Sequence, residues 1–241
     1  MIASLGRRLL AELVGTALLV TVVVGSGIAA QKLSPHDVGL QLLENSTATV
    51  FGLAVLILLF GPVSGAHFNP VVSATDWLLG RRAGTGLTGR DVAAYTVAQI
   101  VGAVCGAVLA NAMFDLAPLQ ISEKVRASTG LWIGEIVATA GLIALIFALA
   151  RSGRGALSAG AVGGYIGAAY WFTSSTSFAN PAVSVGRIFS DTFAGIAPAS
   201  VPGFVLAQVI GATLGTGLVL ALYPDAARTA GAVVVPHGTA P

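Results

Sequence analysis

Residues 174–187 read Ser-Ser-Thr-Ser-Phe-Ala-Asn-Pro-Ala-Val-Ser-Val-Gly-Arg. The opening positions are rich in hydroxyls and follow neither a helical nor a strand period. Asn180-Pro181-Ala182 then starts a short apolar helix, because proline suits a first helical position, where its missing N–H would be unpaired anyway. A second stretch of this kind lies upstream, Ser64-Gly65-Ala66-His67-Phe68-Asn69-Pro70-Val71, and its apolar run ends near Trp77. Neither run has room for a full membrane crossing. Both read as half-helices aimed at one place.

Composition decides what surrounds them. Of 241 residues, 55% are hydrophobic and 9% charged, far below the roughly 25% charged of a soluble domain. Runs of about 20 apolar residues cross a bilayer, and six are found, at Leu9–Ala30, Gln41–Phe60, Val92–Met113, Leu131–Ala150, Ala156–Phe172 and Val201–Leu222. The 31 glycines fit helices packed through small residues, since lipid removes the hydrophobic drive between them.

Lys and Arg give orientation. Arg7, Arg8, Arg81, Arg82, Arg90, Arg151, Arg154 and Arg228 fall on one side of a six-span arrangement, and Lys32, Lys124 and Arg126 on the other. Both termini are therefore expected in the cytoplasm and the chain in the inner (plasma) membrane. The first span carries Glu12 and lacks a sensible cleavage site, so it reads as a retained helix. The net charge of +2 reflects sidedness, not a nucleic-acid partner. Cys105 is a small core residue in this reading, and residues 224–241, with His237, form an expected disordered tail.

The chain also repeats itself. Ala11-Glu12-Leu-Val-Gly15-Thr16 is echoed by Gly134-Glu135-Ile-Val-Ala138-Thr139, and the segment around Gln99 by the one around Gln208. Repeat one covers about 1–113 and repeat two about 131–223, within a single domain of 1–223. Three spans per copy is an odd number, so the second copy enters the membrane inverted, and inverted repeats meet at a midplane site. The expected fold is all-α, with six transmembrane helices and two re-entrant half-helices.

Each half-helix N-terminus carries a partial positive charge of roughly half an electron, so a cation at the meeting point is repelled twice. The Asn69 and Asn180 amides can donate to a neutral oxygen, and carbonyls of the extended segments 61–68 and 173–179 offer acceptors along the path. Glu12, Glu135, Gln99, Gln208 and His67 read as supports that hold the re-entrant loops. Neither a nucleophile with its base nor a metal cluster is visible among three His and one Cys, so no enzyme, cofactor or metal is expected.

These boxes and the Glu and Gln repeats resemble the aquaporin, or major intrinsic protein, family over nearly the whole chain. The resemblance implies one pore per protomer, a homotetramer in the lipid bilayer, and passive conduction of water or small uncharged solutes. It also implies a four-position outer filter that usually places Arg directly after the second Asn-Pro-Ala. Here that residue is Val183. The other filter positions are Ser177, either Phe51 or Thr49 in the second span, and either Gly167 or Ala168 in the fifth.

A small, uncharged filter favours solutes larger than water. In the first box, Val71 stands where Ala is usual and adds apolar bulk. Arg187, four residues after Val183, lies one turn, about 6 Å, further out. It is a candidate displaced charge at the outer vestibule, with outward snorkelling or an ion pair to Asp191 as the alternative. Tyr170 to Ala179, followed by Val183, resembles a bacterial branch associated with arsenic resistance. That likeness implies neutral arsenous acid or methylated arsenicals as cargo, beside glycerol-type polyols. A water channel, a non-conducting structural member and, more distantly, a coupled transporter are the alternatives.

Overall fold

Polar residues set where the apolar runs begin. Asp37 accepts from Leu40 N, Thr88 from Asp91 N and Ser128 from Leu131 N, each satisfying one of the orphan donors at a helix start. In the computed structural model, which describes residues 3–81 and 84–223, the helices are α1 (Leu5–Leu33), α2 (Val38–Ser64), α3 (Pro70–Gly80), α4 (Gly89–Met113), α5 (Thr129–Arg151), α6 (Ser158–Phe172), α7 (Pro181–Gly186) and α8 (Val201–Leu222). Arg82, Arg228, His237 and the expected tail lie outside the described residues.

Five helices, α1, α2, α4, α5 and α8, are long and apolar enough to cross a membrane. The sixth, α6, has 15 residues, about 23 Å at 1.5 Å per residue, and follows a 3₁₀ turn at Gly155–Leu157. It packs against α2 and α5. The half-helices α3 and α7 complete an all-α inverted repeat of six spans and two re-entrant segments.

The two repeats pack alike. Within each, the first span makes its main contact with the third span, α1 with α4 and α5 with α8. Gly102 and Gly106 of α4 lie so close to the Leu13 and Ala17 carbonyls of α1 that a Cβ has no room. Gly211 and Gly215 of α8 press in the same way on the Ile136 and Ala140 carbonyls of α5. This is small-xxx-small packing, in which backbones approach because side chains are missing.

One expectation changes here. Residues 61–64 are not extended, because α2 runs through Pro62 to Ser64 and ends at Gly65, whose φ of +88° only glycine adopts readily. Ser64 O accepts from Tyr95 Oη. The first re-entrant loop is therefore the short stretch 65–68.

Candidate functional site

The two Asn-Pro boxes are built alike. Asn69 caps α3, its Oδ1 accepting from Val71 N at 3.1 Å, and Pro70 takes the first helical position. Asn180 caps α7, its Oδ1 accepting from Ala182 N at 2.9 Å and Val183 N at 3.3 Å, with Pro181 first in the helix. The boxes are also cross-tied. Asn69 Nδ2 donates to Ala179 O at 2.8 Å and Asn180 Nδ2 to Phe68 O at 2.7 Å. Each amide keeps one N–H beyond the cross-tie.

The loops leading into the boxes are wound tightly. Ala66, Phe68, Ser177 and Ala179 have φ between +48° and +49°, and Thr176 has φ +61°. Left-handed backbone at non-glycine residues costs of order 1–3 kcal/mol each and persists only where the surroundings enforce it. Two buried carboxylates do so. Glu12 accepts from Ser64 Oγ and His67 N through Oε1, and from Phe68 N and Gln99 Nε2 through Oε2. Glu135 accepts from Phe178 N through Oε1, and from Ala179 N and Gln208 Nε2 through Oε2. Gln99 also donates to Ser73 Oγ, and Gln208 to Ser184 Oγ. The His67 ring contacts Ser73 through Nδ1 at 3.0 Å and stacks edge-on to Tyr95.

Between the loops lies a cavity lined by apolar side chains, among them Leu19, Leu53 and Ile146, and by both Asn residues. Thr49 borders it and is buried, whereas Phe51 is 68% exposed on the outside of α2. Two residues along a helix turn a side chain away, so Phe51 faces outward where Thr49 faces the cavity. Gly167 faces Val50 of α2 and Ala168 points outward, and neither borders the cavity. From α6 the wall is Val162, Ile166 and Tyr170, spaced by four on one face. Tyr170 borders the cavity in the span where the sequence reading names Gly167 or Ala168, and its spacing of four from Ile166 points to it. Its hydroxyl lies 3.2 Å from Thr49 Oγ1. In the first box Val72, not Val71, reaches the cavity.

Val183 and Ser177 both line the cavity, at 5% and 3% exposure. Ser177 Oγ has no hydrogen-bond partner among the described residues. Arg187 also lines it, in the 3₁₀ turn that follows α7, with Nε donating to Ala194 O and its guanidinium carbon 3.4 Å from the centre of the Phe178 ring. The alternative pairing with Asp191 is not formed, since that carboxylate accepts from Ser122 Oγ and Glu123 N.

The family model described as major intrinsic protein matches residues 2–177. The chain belongs to this family. Aquaglyceroporin AqpS of Rhizobium meliloti (strain 1021) is 52% identical over 215 residues, covering 89% of each chain. The glycerol uptake facilitator protein of Pseudomonas aeruginosa is 32% identical, covering 94% of each. Among solved structures, the aquaglyceroporin from Plasmodium falciparum superimposes with a TM-score of 0.62 over 90% of this chain and 96% of its own, at 19% identity, and shows the shared fold. As a major intrinsic protein, the chain is an integral membrane channel.

Proposed function

We propose that this channel passively conducts small uncharged solutes of the polyol class, and that Val183, Ser177, Thr49 and Tyr170 form its filter. The observation that carries this reading is Val183, an apolar side chain on the pore wall directly after the second Asn-Pro-Ala. Without a guanidinium there, solutes are not stripped by a fixed charge, and a three-carbon polyol can slide its carbons along Val183 while its hydroxyls exchange among Ser177, Tyr170 and Thr49. Arg187 supplies a displaced positive charge one turn further out.

Relatives named for glycerol uptake and as an aquaglyceroporin support this cargo class. Neutral arsenous acid, shaped like a small polyol, and methylated arsenicals belong to the same class, and water leaks through. Cations are refused where the half-helix N-termini meet. In this reading the protein is a homotetramer in the plasma membrane with both termini cytoplasmic, so that Arg187 lies at the outer mouth. It performs no chemistry on its cargo.

Stopped-flow light scattering on proteoliposomes tests the proposal, comparing water, glycerol and arsenous acid for the wild type and Val183→Arg. The wild type is expected to pass all three and the Arg form to suppress the larger two while keeping water. A wild type that passes water alone overturns it.

A further inference from the structure

The outer mouth holds more positive charge than conduction of neutral solutes requires. Arg187 is 2% exposed and Arg126, from the segment joining the repeats, 9% exposed. Both guanidiniums lie over one ring, Phe178, with their carbons 3.4 Å and 5.1 Å from its centre. Phe178 is itself fixed edge-on against Phe204 at 5.0 Å.

Backbone carbonyls of one loop hold the two guanidiniums in place. Arg187 Nε donates to Ala194 O, while Arg126 donates to Gly195 O through Nε at 2.8 Å and to Phe193 O through Nη2 at 3.3 Å. That loop is stitched to the connecting segment by Ser122 N to Ile188 O and Ala197 N to Lys124 O, both 2.8 Å. Lys124, bonded to Phe193 O, adds a third cation, its amine pushed down to about 8 by partial burial and by the neighbouring guanidiniums.

No carboxylate of the described residues is in ion-pair contact with this group, and Glu135 and Asp191 act on it only at longer range. Among the described residues the one ion pair is Arg8–Asp91. Glu135 is committed to Phe178 N, Ala179 N and Gln208, and Asp191 to Ser122 and Glu123. The terminal nitrogens of Arg187 have no hydrogen bond to a described residue, although the side chain borders the pore. Buried cations of this kind call for a counter-charge, and a guanidinium fork matches the two oxygens of a carboxylate.

We infer that Arg187, backed by Arg126, forms a binding site at the outer mouth for short monocarboxylate anions, which compete there with neutral solutes for entry. The site rests on the channel reading for its competition with solutes but not for its binding. A short hydroxy acid sets its carboxylate on Arg187 and its hydroxyl toward Ser177, whose Oγ is free of protein partners. Arg126 is a positioning residue: it acts through the field at Phe178 and does not line the pore.

The test compares sodium lactate with 1,2-propanediol, its neutral counterpart of nearly the same size, as inhibitors of glycerol flux into proteoliposomes at pH 7.5, with sodium chloride matching ionic strength. Lactate is expected to inhibit at a concentration about 10-fold lower than propanediol, to lose that advantage in Arg187→Gln and to lose about 3-fold in Arg126→Gln, as charge-assisted contacts predict. Melting of the detergent-solubilised protein is the second readout: lactate raises the midpoint over chloride in the wild type and not in Arg187→Gln. Equal inhibition by lactate and propanediol, with equal melting in lactate and chloride, overturns the inference. Absent glycerol flux in the wild type counts against the channel reading instead, and the melting comparison still decides the anion site.

Discussion

Asn180 donates through Nδ2 to the Phe68 carbonyl at 2.7 Å, and Phe68 is the residue immediately before Asn69 in the other repeat. Asn69 returns the bond to Ala179, immediately before Asn180. Each asparagine thus does two things at once: its oxygen caps its own half-helix, and its amide holds the opposite loop. The meeting of the two boxes is a closed cycle, so damage at one box reaches the other.

Asn180→Ala removes a cap worth about 1 kcal/mol and leaves the buried Phe68 carbonyl unpaired at about 1–3 kcal/mol. Asn69→Ala should cost less, because Asn69 caps one N–H where Asn180 caps two. Denaturation of the purified variants measures both. The double variant is expected to lose less than the sum of the singles, since one cycle is broken in each case.

Glu12→Gln and Glu135→Gln test whether the buried carboxylates are supports or part of the conduction path. In either variant an NH₂ group faces N–H donors that had an oxygen, stranding at least one buried donor and costing roughly 2–5 kcal/mol. Neither Glu borders the pore. The expected result is a large fall in melting temperature with an unchanged glycerol-to-water permeability ratio in the protein that remains folded. A changed ratio at unchanged stability would assign them to the path.

Much of this arrangement was readable in the residues. The Glu and Gln echoes gave the repeat, the two Asn-Pro dipeptides gave the half-helices, and apolar run length gave the spans. Helix ends were less legible. The second apolar run reads as ending at Phe60, yet a proline in the last turn loses few backbone bonds and the helix continues through Pro62 to Ser64. The pore wall was harder still, because a shift of one or two residues on a helix moves a side chain from cavity to lipid. Phe51 and Thr49 differ by two positions and face opposite surroundings. The contacts of Arg126 come from loop-to-loop pairing, for which the sequence carries no period.

The glycines separate into two kinds that a substitution series can tell apart. Gly106→Ala places a methyl against the Ala17 backbone, which cannot move aside like a flexible side chain. A loss of about 1–3 kcal/mol from overpacking is expected, and likewise for its repeat mate Gly215→Ala against Ala140. Gly160→Ala and Gly164→Ala on α6 meet nothing within 4 Å and should gain about 0.5–1 kcal/mol from helix propensity. Melting midpoints of the four variants check the contrast.

Tyr170 and Thr49 meet between the neighbouring helices α6 and α2, their hydroxyls 3.2 Å apart on the cavity wall. Tyr170→Phe deletes the phenol oxygen while keeping the ring, so the constriction keeps its width and loses a polar exchange point. One hydrogen bond is worth about 1 kcal/mol, or roughly a five-fold change in a rate that depends on it. Glycerol flux, which needs hydroxyl partners at the filter, should fall by about two- to five-fold relative to water. Thr49→Val should act in the same direction, because it removes the other half of the same pair. Phe51→Ala, on the outer face of α2, should leave the glycerol-to-water ratio where it was. Were Phe51→Ala to shift that ratio while Tyr170→Phe did not, the wall would have to be redrawn with α2 rotated by about half a turn.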